Sequence, residues 1–259
     1  MLHGYTQSGQ LFRAKTRALE KHLQKTFPGS TLSYPTGPLR LQSSDVPGFD
    51  ASNSSQDEDV EAFGWWRRSN SVDPPEYLGM ENGFSEVAQT LTTEGPFDGV
   101  AGFSQGAALA AMVSSLLEGP RRKEALQTSQ SQSSFSIPFP SSFLDLQHPP
   151  MRFCVLYSGF VAPGERYRAF YDPCISTPSC HFIGSLDSVV EESRCRALVD
   201  AFGGEAKVQL VFHPGGHFLP SSKQFLDVLV NFIGNLTRPD PQRSGREDEG
   251  SVEDMEVPF

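Results

Sequence analysis

Cysteine is scarce in this chain. Cys154, Cys174, Cys180 and Cys195 are the only four in 259 residues, none forms a C-x-x-C pair, and no histidine cluster completes a zinc-ligand spacing. A zinc module or a dense disulfide framework is therefore not expected, and no metal site is predicted. Reduced thiols are the favoured reading, with a Cys174–Cys180 bridge as the lesser one. None of the four sits in a turn that would expose a nucleophilic thiol. Basic residues are also few. Lys and Arg number 21 against 31 Asp and Glu, a net charge of −10, so neither nucleic acid nor an anionic membrane is expected as the main partner. No run of 18 apolar residues is present, which excludes a spanning helix of the usual kind. Met1-Leu2-His3-Gly4 has no basic and no apolar leader character, so a secretory signal is not expected. Hydrophobic residues make up only 37% and charged residues 20%, which leaves room for long loops or a tail around one core.

What is present alternates between two periodicities. Residues 11–27 carry Leu11, Ala14, Ala18, Leu19, Leu23 and Phe27 at helical spacing and stop at Pro28-Gly29. Residues 31–34 predict a short strand. Residues 36–62 read as an irregular loop that turns acidic from Asn53 to Glu61. Helices are expected over 78–94, 105–118, 189–202 and 224–236, and strands over 97–103, 151–157, 180–183 and 208–213. Residues 119–150 are rich in Ser, Gln and Pro and read as an excursion. Residues 238–259 hold seven acids and three bases with little to bury, and predict a disordered acidic tail. Strands alternating with helices imply parallel strands joined by helical crossovers, an α/β sheet with helices on both faces. One domain over 1–237, with insertions at about 41–62 and 119–150, is the simplest organisation.

The sharpest chemical signal is Gly102-Phe103-Ser104-Gln105-Gly106 between a predicted strand and an Ala-rich helix. It fits G-x-S-x-G, where glycines two positions either side let a serine sit on a very tight strand-to-helix turn. The turn lifts Oγ clear of the sheet and aims the free N–H groups of the helix at the reacting carbon. A serine needs an oriented base, and in such a fold the acid and then the histidine follow the nucleophile in chain order. His213 and His217 are the late histidines, in Phe212-His213-Pro214-Gly215-Gly216-His217-Phe218. His217, after a Gly-Gly hinge, is favoured as base, and His213 as a rigid strand-end residue. Asp187, on the loop after the preceding strand, is favoured as the orienting acid over Asp172 and Glu191, although Asp also caps helices well. The backbone N–H groups of Gln105 and Tyr5 are the expected oxyanion donors. His3, beside Gly4, is read as structural in that loop. Trp65, Trp66 and Phe160 are candidate pocket walls, at the sheet end where open α/β folds bind ligands. Adjacent residues on a strand face opposite ways, so at most one of the two tryptophans is expected in a given pocket.

Together with Leu2-His3-Gly4-Tyr5-Thr6-Gln7-Ser8-Gly9, Gly64-Trp65-Trp66, Gly95-Pro96-Phe97-Asp98-Gly99, Ser158-Gly159-Phe160 and the His213–Phe218 segment, this serine motif resembles the family of fungal serine hydrolases over about residues 1–235. The resemblance implies an α/β-hydrolase fold, a Ser104–Asp187–His217 triad and hydrolysis of small-molecule carboxylic esters or thioesters. It implies action without a cofactor, in cytoplasm or nucleus. A catalytically silent scaffold that binds a small ligand or a partner protein is the alternative. One departure favours it: the family has an apolar strand ahead of His-Gly, and only Met1 and Leu2 stand there here. An interior strand of usual length is about five residues. The expectation is therefore a truncated first strand whose full form would need residues upstream.

Overall fold

The structure is a computed structural model describing residues 1–42, 45, 61–203 and 208–237. The expected tail at 238–259 and most of the 41–62 insertion lie outside the described residues.

Four parallel strands form the main sheet: β5 (Gly99–Phe103), β6 (Phe153–Tyr157), β7 (Ser179–Gly184) and β8 (Val208–His213), paired in that order. Parallel strands need both faces covered, and side chains of β6 alternate accordingly. Cys154 and Leu156 join the core under α3 (Met80–Glu94) and α4 (Gln105–Leu116). Val155 and Tyr157 join the opposite core, with α1 (Gly9–Lys15), α2 (Arg17–Thr26) and α7 (Lys223–Thr237). Two short antiparallel pairs flank the sheet: β1 (Leu39–Arg40) with β2 (Phe63–Gly64), and β3 (Arg67–Ser69) with β4 (Glu76–Leu78). α6 (Glu192–Ala201) connects β7 to β8.

The strand ahead of His3 is reduced to one parallel bridge. Leu2 N–H donates to Ala101 O at 2.8 Å and Leu2 O accepts from Phe103 N–H at 3.0 Å. That bridge ties the start of the chain to the end of β5.

Three expectations are revised. The helix over 11–27 is two helices, because Thr16 Oγ1 donates back to Phe12 O at 2.8 Å and bonds Tyr34 Oη at 3.1 Å, a local competition that bends or breaks helices. Residues 31–34 join no ladder among the described residues. Within 119–150, α5 (Pro120–Gln132) starts with proline in its first turn, where no N–H is missed. It buries only Arg122 and Leu126, so it shows no apolar stripe to read.

Candidate active site

Ser104 is the single residue between β5 and α4, with φ 54° and ψ −116°. That is a costly backbone for a residue with a side chain. The glycines explain how the turn closes: a Cβ on Gly102 would collide with Gly106 O, and one on Gly106 would collide with Leu2 O and His3 O. Ser104 N–H donates to Tyr157 O at 2.8 Å, fixing the turn to the end of β6. α4 is buried along its length, and its Ala107, Ala108, Ala110 and Ala111 allow close seating on the sheet.

The segment His3-Gly4-Tyr5 lies beside this turn. Gly4 packs on the Phe103 ring, and a Cβ there would come within 2.9 Å of it. His3 is fully buried, and burial pulls its pKa down to about 4. Trp65 Nε1–H donates to His3 O at 2.8 Å, and the two rings lie 4.9 Å apart. Among the described residues, neither Tyr5 N–H nor Gln105 N–H has a hydrogen-bond partner. The Gln105 side chain does other work: its Oε1 accepts from Trp65 N–H at 2.9 Å and its Nε2 donates to Trp66 O at 2.9 Å.

Asp187 and His217, 30 residues apart, meet at 2.8 Å between Oδ2 and Nδ1. A carboxylate only accepts, so Nδ1 carries the proton and Nε2 is the free basic nitrogen. Asp187 Oδ1 accepts from the N–H groups of Val189 and Val190, both at 2.9 Å. Asp187 thus ties down the loop ahead of α6 with one oxygen and pairs with His217 through the other; the cap position of α6 itself is Glu191, not Asp187. Burial alone would raise the Asp187 carboxyl, but donation from Val190 N–H and His217, the nearness of the Ser158 hydroxyl, and donation from Val189 N–H together outweigh it and hold the group below its ordinary value. The His217 ring lies 4.7 Å from the Phe103 ring, so the imidazole stands against the residue that precedes Ser104.

Among the described residues, His213 makes no hydrogen bond to either member of this pair. It is buried, packs on Phe218 and Phe225, and accepts from Gly215 N–H at 3.3 Å. Asp172 is an exposed partner of Arg168, and Glu191 precedes α6 as its cap residue.

Trp65 and Trp66 are both buried in the same core. Strand alternation does not apply to them, since they sit between β2 and β3 rather than within a strand. Trp66 stacks on Tyr77 at 4.8 Å. Phe160 is nearly buried, with the Arg194 guanidinium 4.6 Å from its ring centre. A cavity of about 420 Å³, lined by Leu2, Leu91, Val100, Val113, Phe153 and Ile233 among others, touches none of Ser104, Asp187 and His217. All four cysteines are free, and burial pushes the thiols of Cys154, Cys180 and Cys195 up to about 12, which makes them inert. Among the described residues no group of three or more His, Cys, Asp or Glu is placed to hold a metal ion, and no helix is long and apolar enough to cross a membrane.

Residues 1–229 match the family model described as serine hydrolase (FSH1). The chain is 33% identical to family of serine hydrolases 3 of Saccharomyces cerevisiae, covering 100% of this chain and 91% of that protein. It is 32% identical to esterase OVCA2 of Danio rerio, covering 90% and 94%. Among solved structures it resembles acyl-protein thioesterase 2 of Zea mays, with a TM-score of 0.54 at 19% identity over 90% of both chains. It also resembles esterase PE8, with a TM-score of 0.55 at 17% identity over 91% of this chain and 90% of that one. These two likenesses identify the architecture as the α/β-hydrolase fold.

Proposed function

Because this chain belongs to the serine hydrolase (FSH1) family, we propose that it cleaves a carboxylic ester or thioester through an acyl-enzyme on Ser104. The observation that carries the reading is the 2.8 Å contact of Asp187 with His217, on an imidazole that lies against the Ser104 turn. Ser104 Oγ attacks the carbonyl carbon, and its proton passes to His217 Nε2. Asp187 stabilises the imidazolium so formed without itself taking the proton. The carbonyl oxygen becomes an oxyanion received by the Tyr5 and Gln105 N–H groups, at the positive end of α4. His217 then gives its proton to the departing alcohol or thiol. Water repeats the sequence from the other side: its proton goes to His217, its oxygen to the acyl carbon, and the carboxylic acid leaves as Ser104 recovers the proton.

A fluorophosphonate probe tests this directly. Wild-type protein is expected to take one covalent adduct, located on Ser104 by peptide mass spectrometry, and Ser104→Ala to take none. Labelling that survives in Ser104→Ala, or a folded wild type that takes no label, would sink the assignment. Turnover of esters graded in acyl length then identifies the acyl group.

A further inference from the structure

Among the described residues, three non-glycine positions have positive φ: Thr6 at 70°, Ser104 at 54° and Ser158 at 48°. Thr6 follows the Tyr5 donor and Ser104 is the nucleophile of the reading above. Ser158 has no part in that reading, yet it holds a backbone that side-chain-bearing residues avoid. An outlier of this kind persists only where its surroundings hold it, and such positions cluster at functional sites.

Its surroundings are the two turns of the site. Ser158 follows the last residue of β6. Its own N–H donates to Phe182 O at 2.9 Å, while the preceding carbonyl, Tyr157 O, receives Ser104 N–H at 2.8 Å. The bend thus lies between the nucleophile turn and the Asp187 turn. The side chain is 1% exposed and Oγ completes no hydrogen bond of full geometry. It is nonetheless close enough to the Asp187 carboxylate to help hold that group ionised. An ionised carboxylate has about four acceptor positions. Val189 and Val190 occupy two on Oδ1, and His217 occupies one on Oδ2. One position is left, on the carboxylate that must carry full charge when His217 becomes an imidazolium.

We propose that Ser158 is a positioning residue for the acid: its strained bend aims Oγ–H at the fourth acceptor position of Asp187, and the hydrogen bond closes as His217 takes up a proton. This rests on the Ser104–Asp187–His217 reading for its effect on rate, but the contact itself does not. Bonds of this kind are often long in the free enzyme and tighten in the reacting complex. The titratable groups that sense Asp187 are His217 on the loop after β8, His213 at the end of β8 and the neutral Cys195 thiol on α6.

Two variants separate the hydroxyl from the bend. Ser158→Ala removes Oγ and keeps the strain. Ser158→Gly removes Oγ and relieves the strain, so it stays folded even if the alanine variant does not. The expected result is that Ser158→Gly lowers kcat about tenfold with KM unchanged. Asp187, followed by carboxyl carbon NMR, should titrate roughly one pH unit higher than in wild type. A Ser158→Gly protein in which Asp187 titrates as in wild type would overturn the proposal. If wild type takes no fluorophosphonate label, the catalytic reading fails, and the Asp187 titration still decides the role of Ser158.

Discussion

His3 and Gly37, 34 residues apart, are joined by a 2.8 Å hydrogen bond from the Gly37 N–H to Nε2 of the imidazole. The other ring nitrogen lies 2.8 Å from Gly4 O, which only accepts, so Nδ1 carries the single proton and the ring is neutral. Protonating Nε2 would set two donors face to face in a buried site. The folded pKa of about 4 lies below the ordinary 6.5, so the unfolded chain binds the extra proton first. Stability is therefore fully present above pH 6.5 and falls as the pH drops towards 4. Between pH 7 and pH 5 this group accounts for roughly 2 kcal/mol of lost stability. His181, pulled down to about 3 by burial, adds loss of the same sign. Urea unfolding at the two pH values checks this: His3→Asn is expected to be less stable at pH 7 but to lose less on acidification. Parallel pH dependence of variant and wild type would show that His3 does not titrate on unfolding.

Asp187→Asn is expected to keep the fold and lose turnover. Its amide oxygen can still accept from Val189 and Val190, now at 2.9 Å from Oδ1. Its NH₂, however, would face His217 Nδ1, which must then accept, leaving the proton on Nε2 where the serine proton should go. A loss of kcat on the order of 10³ to 10⁴ follows from tautomer reversal alone. The check is kcat on a chromogenic ester beside a melting curve. Activity within tenfold of wild type would mean that another group orients His217.

The two late histidines are expected to separate cleanly. His217→Ala removes the proposed base, whereas His213→Ala removes a buried ring that packs on Phe218 and Phe225. Among the described residues, Nε2 of His213 has no hydrogen-bond partner, so the one hydrogen bond lost with the ring is that from Gly215 N–H. Fluorophosphonate labelling rates should therefore fall far more for His217→Ala, and the reverse ranking would overturn the assignment of the base.

How much of this was readable beforehand depended on how local each cause is. The Ser104 turn was legible because Gly102 and Gly106 satisfy a steric demand within five residues of chain. The sheet was legible because β5 to β8 are unbroken or nearly unbroken apolar runs separated by helical patterns. The split between α1 and α2 was not, because Thr16 answers to Tyr34, 18 residues away. α5 was hidden because its anchor is a buried arginine rather than an apolar stripe: Arg122 donates to Ala169 O and Pro173 O and pairs with Glu118. The burial of both Trp65 and Trp66 was hidden for a related reason, since the side chain that holds them belongs to Gln105, about 40 residues on.

Gly106→Ala is expected to damage the proposed oxyanion arrangement more than the proposed nucleophile. The new methyl would press on Leu2 O and His3 O, backbone atoms that cannot swing aside, so the segment leading to Tyr5 must retreat from the turn. Ser104, Asp187 and His217 keep their side chains. Loss of one well-placed donor costs on the order of 10² to 10³ in kcat. The variant should remain folded by circular dichroism while its ester turnover drops by that amount. Unchanged turnover would show that the Leu2–Tyr5 segment does not contribute to the reaction.

Gln105 gives the most direct test of how the tryptophan segment is held. Its backbone N–H is a proposed oxyanion donor, but its side chain is a clamp on Trp65 N–H and Trp66 O. Both backbone groups lie in a region where the adjoining side chains are fully buried, so water cannot readily replace a lost partner. Gln105→Leu is similar in size, keeps the main-chain N–H and removes both side-chain hydrogen bonds. Each orphaned backbone group costs about 1–3 kcal/mol, so the pair should cost roughly 2–6 kcal/mol, a large share of the stability of a typical domain. At about 2–4 °C per kcal/mol for a chain of this size, the melting temperature should fall by about 4 °C or more. A shift of a degree or less would show that the two backbone groups find other partners and that the clamp is incidental. The labelling rate of Ser104 in the same variant reports whether the clamp also serves the site. Trp65 Nε1–H holds His3 O, so loosening Trp65 should loosen the oxyanion segment and slow labelling even at temperatures where the variant is fully folded.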